Sequence, residues 1–457
     1  MKSLLKSVTN GKKVLLLGYG REGRSSLKLI RQTCPELEIS IADIDVDVAN
    51  KNPELNEYGI KLICGPGYLN YIDAFDLIIK SPGVSLKDHE TKIDVRKISS
   101  QTDLFLKAYS GQIVGITGTK GKSTTSSLVY HIIKQYTNNT LLAGNIGIPL
   151  FDLIPDINPE TRIVCELSSH QLEYIWKGPH IAVLLNLFQE HLDHYTSFYD
   201  YQMAKLQIGL KQSEGDFFIW NADDRNIQQL SRQQMLISKN LPVYQGEFEG
   251  NGVGVSGANI VLRNMANERI LIPIGQESRL KGVHNLINIS VAAAAAALMN
   301  IPATAISQGI ASFTPLEHRI EFVGTFNQKR FYNDSISTIP EATIAAVKTL
   351  EGVDTIILGG FDRGIDYSIL IDFFNQYDDK NLVFTGPAGK RMLYEFNEKK
   401  GNSDNLYFSE NFTQAVKLAA SLTPEGGTCL LSPAASSYDS FKNFEERGKY
   451  FKSLVKQ

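Results

Sequence analysis

A glycine-rich stretch that follows an apolar strand constrains this chain more than any other part of its sequence. Residues 112–125 read Gln-Ile-Val-Gly-Ile-Thr-Gly-Thr-Lys-Gly-Lys-Ser-Thr-Thr, which predicts a strand, a tight turn and the start of a helix. Backbone N–H groups at a helix N-terminus favour negative charge, so this turn is typical of a nucleotide triphosphate site. In such a loop Lys122 reaches the β- and γ-phosphates, and Ser123 offers its hydroxyl to Mg²⁺.

The loop departs from the usual spacing at one position. Ile116 stands where the first glycine of the pattern is expected, so a glycine-rich turn that matches by chance is the alternative interpretation. Because strand, turn and helix signals occur in the required order, we favour the phosphate loop, with Gly118 and Gly121 as its functional pair.

Composition narrows the class of protein. A length of 457 residues is enough for about three domains. The net charge is −3, and no basic stretch is interleaved with aromatic residues, which argues against a nucleic-acid partner. Four scattered cysteines favour neither a disulfide framework nor a zinc site, and no apolar run reaches the ~20 residues of a membrane span. We therefore expect a cytoplasmic protein without a membrane partner. We also expect a monomer, although composition does not bear on the oligomeric state.

The first segment carries a second glycine motif. An apolar run at 13–17 leads into Gly-Tyr-Gly-Arg-Glu-Gly at 18–23, and a second strand ends in Asp43, twenty residues after the last of these glycines. This pattern is typical of a Rossmann unit, and alone it suggests a dinucleotide-dependent oxidoreductase. Another strand at 76–80 precedes the turn Ser81-Pro82-Gly83, so a ligand-binding sheet edge is expected here.

Polar side chains follow two further predicted strands. Glu166 ends a buried strand, and residues 190–194 read Glu-His-Leu-Asp-His after the next one. A predicted helix over 198–210 carries Lys205, which by spacing alone would be a solvated surface charge. After residue 315, strands and helices alternate again, which favours a second doubly wound sheet.

Several motifs occur together in the order in which the Mur ligases have them. The chain resembles that family over its whole length. The run 431–448 is similar to the members that add D-glutamate to UDP-N-acetylmuramoyl-L-alanine. The matching segments are Gly118–Thr124, Glu166–Ser169, Glu190–Asp193, His284–Asn288, Glu317–Arg319 and Asn333–Ser335.

The resemblance implies an α/β fold of three domains. Residues 1–109 would form a Rossmann-like domain for the UDP substrate. Residues 110–315 would form a central ATPase-like domain with a phosphate loop and a mostly parallel sheet. Residues 316–457 would form a Rossmann-like domain for the amino acid. The Rossmann motif would then hold a uridine nucleotide, and the oxidoreductase becomes a minor alternative because it leaves the phosphate loop without a purpose.

The resemblance also implies a reaction in peptidoglycan precursor synthesis. ATP would phosphorylate the carboxylate of the nucleotide-sugar substrate, and the amine of glutamate would attack the resulting acyl phosphate. Two Mg²⁺ sites are implied, with Lys205 carbamylated by CO₂ so that it can act as an anionic ligand. Protein catalysis of phosphoryl transfer is mostly positioning and charge neutralisation, so cations and oxygen ligands are expected around one point.

Site residues carry over by position. The implied catalytic residues are Lys122, Glu166, His191 and Lys205, and the metal ligands are Ser123, Glu166, His191 and the carbamate of Lys205. The ATP set is Gly118, Thr119, Lys120, Gly121, Lys122, Ser123, Thr124, Asn288, Arg319 and Asp334, although an inter-domain salt bridge is the alternative for Arg319 and Asp334. The UDP-substrate set is Gly18, Tyr19, Gly20, Asp43, Ser81 and Asn145. The glutamate set is Thr338, Arg363, Ser437, Lys442 and Phe444.

Two departures from the family pattern fall in the glutamate set. Ile336 stands where the family has a lysine, and Arg363 replaces a second lysine. Arginine can pair bidentately with a carboxylate, which lysine cannot do. An enzyme that adds L-glutamate is therefore an alternative, and a regulatory ATP-binding protein on the same scaffold is another. Retention of the implied metal-bridging set counts against the regulatory protein.

Overall fold

The computed structural model describes residues 1–57, 60–87, 93–144, 148–190, 194–263, 269–274, 280, 283–314, 317–350, 352–377, 379–400 and 404–456. The chain divides into two compact units. The first takes residues 1–278 and 284–313, and the second takes residues 279–283 and 314–457. Two sheets lie in the first unit and one lies in the second.

A five-stranded parallel sheet forms the N-terminal part of the first unit, with the strand order β3-β2-β1-β4-β5. The run Val-Leu-Leu-Leu of β1 is wholly buried, as expected of a parallel strand covered on both faces. The strands are β1 (Val14–Leu17), β2 (Ile39–Asp43), β3 (Lys61–Cys64), β4 (Leu77–Lys80) and β5 (Ile98–Ser99). The helices are α1 (Lys2–Thr9), α2 (Arg21–Thr33), α3 (Val48–Lys51), α4 (Glu54–Glu57) and α5 (Gln101–Tyr109).

A nine-stranded sheet follows in the same unit, with the order β14-β13-β12-β11-β10-β9-β6-β8-β7. Its pairs are parallel from β7 to β12, and β13 pairs antiparallel with both neighbours. The strands are β6 (Ile113–Thr117), β7 (Thr140–Gly144), β8 (Arg162–Glu166), β9 (Ile181–Leu184), β10 (Phe217–Asn221), β11 (Lys239–Val243), β12 (Gly252–Ser256), β13 (Asn259–Arg263) and β14 (Arg269–Pro273). The helices are α6 (Lys122–Tyr136), α7 (Ser169–Leu172), α8 (Phe198–Leu210), α9 (Arg225–Gln233), α10 (Val283–Leu298) and α11 (Ala303–Ser312).

The second unit is built on a six-stranded sheet with the order β15-β16-β20-β17-β18-β19. Only its edge pair, β15 with β16, is antiparallel. The strands are β15 (Glu321–Phe326), β16 (Lys329–Asn333), β17 (Val353–Gly359), β18 (Asn381–Thr385), β19 (Leu406–Ser409) and β20 (Thr428–Leu431). The helices are α12 (Pro340–Thr349), α13 (Ser368–Phe374), α14 (Gly386–Lys400), α15 (Phe412–Leu422) and α16 (Phe444–Val455).

Strand order explains where ligands can bind. In each sheet the chain reverses its direction of growth beside a central strand, and the carboxyl ends of parallel strands around that point form a crevice. The loops after β1 and β6 lie at such points, as do the neighbouring ends of β16, β20 and β17. The predicted α/β class with mostly parallel sheets is therefore confirmed. Among the described residues, no helix is long and apolar enough to cross a membrane.

Candidate active site

The phosphate loop joins β6 to α6 and contains two glycines with positive φ. Gly118 has φ 152° and Gly121 has φ 83°. A Cβ on Gly121 would lie 2.9 Å from Asn288 Oδ1, and one on Gly118 would lie 2.9 Å from Leu185 Cβ. Gly121 is the N-cap of α6 and gives the helix no side-chain cap. A helix that begins this way presents its first amide groups to an anion.

Two lysine ammonium groups converge on the same loop. Lys122 Nζ donates to the carbonyl oxygens of Gly118 at 2.9 Å and Thr119 at 3.0 Å. Lys205 Nζ, which extends from α8, also donates to Gly118 O at 2.9 Å. Lys205 is 2% exposed, so it is not the surface charge that spacing alone suggested. Burial, together with the charge of Lys122, holds the pKa of Lys205 well below its ordinary value.

The segment after β9 supports the loop from the other side. Asn186 accepts from Lys120 N at 2.7 Å and donates to Lys120 O at 2.9 Å. The hydroxyl of Thr119 accepts from Phe188 N at 2.9 Å and lies 2.9 Å from the hydroxyl of Tyr201 on α8. The loop is thus held at two consecutive residues before the helix begins, at Thr119 through its side chain and at Lys120 through its backbone.

Carboxylates stand beside these cations. Glu166 ends β8 and is 1% exposed, and its charge acts on Lys205. Glu190 Oε1 lies 2.8 Å from Lys120 Nζ. No group of three or more His, Cys, Asp or Glu side chains able to hold a metal ion occurs among the residues that the structure describes. His191, one of the four implied metal ligands, lies outside those residues.

A cavity of about 290 Å³ opens in the first unit between the loop and the N-terminal sheet. Lys122, Lys205 and Glu190 line one part of it, and Arg21 and Glu22 line another. Phosphate-loop cations and residues at the start of α2 therefore face the same space. A reaction between groups held at the two sheets is geometrically possible there.

The N-terminal glycine motif forms a compact loop over the end of β1. Gly18 has φ 88°, and its carbonyl accepts from Ser81 Oγ at 2.8 Å. Asp43 Oδ2 accepts from Tyr19 N at 2.7 Å, and Gly20 is the N-cap of α2. Four of the six residues predicted for the UDP substrate are thus joined by hydrogen bonds. The amide of Tyr19, however, already serves Asp43, and Asn145 lies outside the described residues.

In the second unit, three of the residues predicted to bind the glutamate substrate follow neighbouring strands of the sheet. Thr338 follows β16, Arg363 follows β17, and Ser437 follows β20. The guanidinium of Arg363 donates to Thr338 O at 2.9 Å, and Ser437 is 2% exposed. Phe444 opens α16, and the exposed Lys442 donates its backbone N–H to Glu446 Oε2 at 2.7 Å. The structure therefore joins Arg363 directly to Thr338.

Two residues predicted for ATP also lie in the second unit. Asp334 is buried and accepts from Ser432 Oγ at 2.7 Å and Ile320 N at 3.1 Å. Burial raises its pKa to about 6, although Arg319 and these donors act against that rise. Arg319 sits between His318 at φ 64° and Ile320 at φ 46°. Left-handed backbone on both sides, one of them at a β-branched residue, marks a strained segment.

Comparison with known proteins places the chain in a family. Residues 116–296 match the family model described as the Mur ligase middle domain. A UDP-N-acetylmuramoylalanine–D-glutamate ligase from Desulfitobacterium hafniense is 34% identical to the chain over 455 residues, which is 98% of both chains. One from Symbiobacterium thermophilum is 33% identical over 88% of both. The chain belongs to the Mur ligase family.

Solved structures of other Mur ligases have the same fold. MurF from Acinetobacter baumannii superposes with a TM-score of 0.61 at 15% identity, covering 100% of this chain and 99% of that one. MurF from Thermotoga maritima in complex with ADP gives a TM-score of 0.55 at 16% identity, covering 85% and 92%. At these identities the likeness concerns the fold.

One departure of this Mur ligase from the family pattern is now located. Ile336 follows β16 and is half-buried, and its amide donates to His318 O at 3.2 Å. An aliphatic side chain cannot pair with a carboxylate. A cationic contact to glutamate in this part of the second unit is therefore expected from Arg363. One N–H of its guanidinium donates to Thr338 O.

A buried arginine was missed by the sequence analysis. Arg447 of α16 is 1% exposed and donates to Ser335 Oγ at 3.0 Å, Ser335 O at 2.9 Å, Ala435 O at 3.1 Å and Ser436 O at 3.1 Å. Burial lowers its pKa to about 10, so it stays charged at neutral pH. It ties the loop that carries Ile336 to the loop that carries Ser437. Glu446, Arg447 and Gly448 in the first turns of the helix gave no sequence signal of this role.

A buried ionic network between the two sheets of the first unit was missed as well. Lys80 of β4 lies 3.0 Å from Glu173 Oε2, and His194 Nε2 lies 2.6 Å from Glu173 Oε1. Burial alone would raise the pKa of Glu173, but the hydrogen bond from His194 and the charge of Lys80 outweigh it and lower that pKa. The network fixes the end of β4, and so the Ser81 turn, against the central sheet.

Proposed function

We propose that this Mur ligase joins D-glutamate to UDP-N-acetylmuramoyl-L-alanine at the expense of ATP. The observation that carries the proposal is the shared cavity of the first unit, where Lys122 and Lys205 of the phosphate-loop site face the same space as Arg21. A phosphoryl donor and a nucleotide sugar held at the two sheets can react only if they meet in one space.

The reaction needs an activated carboxylate. A carboxylate is a poor electrophile, so its phosphorylation to an acyl phosphate supplies the leaving group, and attack by the glutamate amine then gives the amide, ADP and phosphate. Lys122 and the first amides of α6 neutralise the charge that develops on the transferred group. The carbonyls of Gly118 and Thr119 hold the Lys122 ammonium at the loop. Exclusion of water from the site during the reaction would protect the acyl phosphate from hydrolysis.

Magnesium fits the donors present, which are the Ser123 hydroxyl on the first turn of α6 and the buried Glu166 carboxylate. Both are oxygen ligands, as a hard cation prefers. Bound magnesium would supply positive charge to the phosphate oxygens. We include His191 and Lys205 as further ligands of two sites by family position.

Lys205 would ligate as a carbamate. Its amine is buried and its pKa is lowered by that burial, so the neutral amine that reacts with CO₂ forms more readily here than in a solvated lysine. The nitrogen lone pair adds to the carbon of CO₂. The nitrogen then loses a proton to solvent, and the product is an anionic carbamate. This converts a cation beside Lys122 into an anion, which removes the repulsion between the two side chains.

In the second unit we propose that Arg363, Thr338, Ser437, Phe444 and Lys442 receive glutamate. The junction of Arg363 with Thr338 O supports this assignment, and a guanidinium can hold a carboxylate through two hydrogen bonds. Asn288, Arg319 and Asp334 complete the proposed ATP set. We also propose three domains at 1–109, 110–315 and 316–457, because each range carries its own sheet, and a monomer that acts in the cytoplasm.

A phosphate-release assay tests the function. Enzyme, ATP, Mg²⁺ and UDP-N-acetylmuramoyl-L-alanine are combined with D-glutamate, L-glutamate or another amino acid. We expect release with D-glutamate and a product heavier by one glutamyl residue in mass spectrometry. Release with L-glutamate alone would replace the assignment by that of an L-glutamate ligase. Absence of release with every amino acid would sink the ligase proposal and favour a regulatory role.

A further inference from the structure

Arg391 of helix α14 contacts the loop that carries Arg363. Arg391 donates from Nε to Asp362 Oδ2 at 2.7 Å and from Nη2 to Asp362 Oδ1 at 2.9 Å. Its Nη2 also donates to Ile365 O at 2.8 Å. The paired contact is the fork geometry in which a guanidinium holds a carboxylate most firmly. The loop is therefore held on both sides of Arg363, one residue before it and two residues after it.

Arg391 is itself held in place. Its guanidinium carbon lies 4.5 Å from the ring centre of Tyr367, which is fully buried, and its Nη1 donates to Glu395 Oε1 at 2.7 Å on the same helix. A cation over an aromatic face with its donors engaged has few alternative rotamers. The position of Asp362 is therefore set by a rigid element and not by the loop alone.

The charges of this group leave Arg363 available for an anion. Hydrogen bonding from Arg391 lowers the pKa of Asp362, and the carboxylate is occupied by that guanidinium. Within the described part of the chain, no carboxylate forms an ion pair with Arg363. One of its five donors serves Thr338 O, and the fork of a guanidinium has four further N–H donors with which it can hold a carboxylate.

We propose that Arg391 is a positioning residue which, through Asp362, fixes Arg363 to hold a carboxylate of the incoming glutamate. The proposal rests on the glutamate ligase function above and concerns how this chain works with Ile336 and Arg363 in place of two lysines. The side chain of Arg363 is long and has several rotatable bonds. Arg391 on α14 restrains the loop that carries Arg363, and it therefore limits the positions that the Arg363 guanidinium can take.

Steady-state kinetics on the full-length enzyme test the proposal. Arg391→Gln should raise KM for D-glutamate about tenfold, with kcat and the KM values for ATP and the nucleotide sugar within about twofold, because a loosened contact to one substrate weakens binding of that substrate. Asp362→Asn should give the same pattern, and the double variant should be no worse than either single one. Arg391→Lys should recover only part of the loss, because lysine lacks the fork.

A matched control separates positioning from a general loss of structure. Lys399→Gln removes an exposed ion pair between α14 and Asp372 of α13, and it should keep KM for D-glutamate near the wild-type value. Glu395→Gln removes a contact that helps to hold Arg391, and it should raise KM for D-glutamate by less than Arg391→Gln does. Thermal unfolding of each variant shows whether it folds.

The outcomes distinguish this proposal from the function on which it rests. A wild-type enzyme that releases phosphate, with an Arg391→Gln variant whose KM for D-glutamate is unchanged, overturns the positioning role alone. A lower kcat, a similar rise in all three KM values and a lower thermal stability would overturn it in favour of a structural role. A wild-type enzyme that releases no phosphate with any amino acid overturns the ligase function first.

Discussion

Lys122 and Lys205 donate to the same carbonyl oxygen, that of Gly118, each at 2.9 Å. Two ammonium groups that share one acceptor repel each other, and burial leaves little water to screen the repulsion. The lowered pKa of Lys205 reflects this placement. Carbamylation of Lys205 would convert the repulsion into attraction. Substitution of Lys205 therefore tests the carbamate proposal directly.

Lys205→Ala should lower kcat by about a hundredfold or more, because it removes the proposed anionic ligand at the metal site. Added short-chain carboxylates should restore part of the activity by entering the space left by the side chain. The measurement is phosphate release with and without formate or acetate. Lys211→Ala, at the end of the same helix, is the control and should retain activity. An active Lys205→Ala enzyme would exclude the carbamate role.

Gly121→Ala should impair the phosphate loop. An alanine at φ 83° costs about 1–2 kcal/mol in backbone energy, and its Cβ would lie 2.9 Å from Asn288 Oδ1. We expect KM for ATP to rise about tenfold or more in initial-rate kinetics. Gly111→Ala places a Cβ in open space and should leave KM for ATP unchanged. Similar kinetics for the two variants would contradict the role of Gly121.

Local sequence signals predicted about half of the strands and the glycine turns, but not the contacts between distant segments. Apolar runs such as 13–17 and the turns after them act through neighbouring residues, so a pattern reveals them. The pair of Lys80 with Glu173 spans 93 positions and that of Arg391 with Asp362 spans 29. Such pairs depend on strand order, which the sequence pattern does not contain. The resemblance, and no spacing argument, pointed to Lys205.

The hairpins from β12 to β14 show the same limit. β12 is short and contains two glycines, which weakens its hydrophobic pattern, and β14 is largely exposed although its sequence is apolar. The place of β6 between β8 and β9 also sets which loops meet at the site. Tyr201 could have been found, since it lies one helical turn before Lys205 and therefore on the same face of α8.

Arg447→Met should lower the free energy of unfolding by about 3–5 kcal/mol, because it leaves the buried carbonyls of Ser335, Ala435 and Ser436 without their donor. Calorimetry of the full chain should show a lower Tm for one transition. Lys449→Met, at an exposed position on the same helix, is the control for the loss of a positive charge. A change below about 1 kcal/mol in Arg447→Met would contradict the role of its hydrogen bonds.

Asp334→Asn should change how stability depends on pH. The pKa of Asp334 is raised by burial from 3.8 to about 6, so between these values the folded state binds more protons than the unfolded state. Stability therefore falls as pH rises through this window, by about 3 kcal/mol for this group. In urea unfolding, the free energy of unfolding of the wild type should therefore fall relative to that of Asp334→Asn as the pH rises from about 4 to about 7.

The control for Asp334→Asn is Asp379→Asn, which removes one negative charge from an exposed carboxylate. Its stability difference from the wild type should vary little over the same pH range, because an exposed side chain has nearly the same surroundings in the folded and unfolded states. A flat difference for Asp334→Asn as well would mean that Ser432, Ile320 and Arg319 stabilise the ionised carboxylate enough to offset its burial.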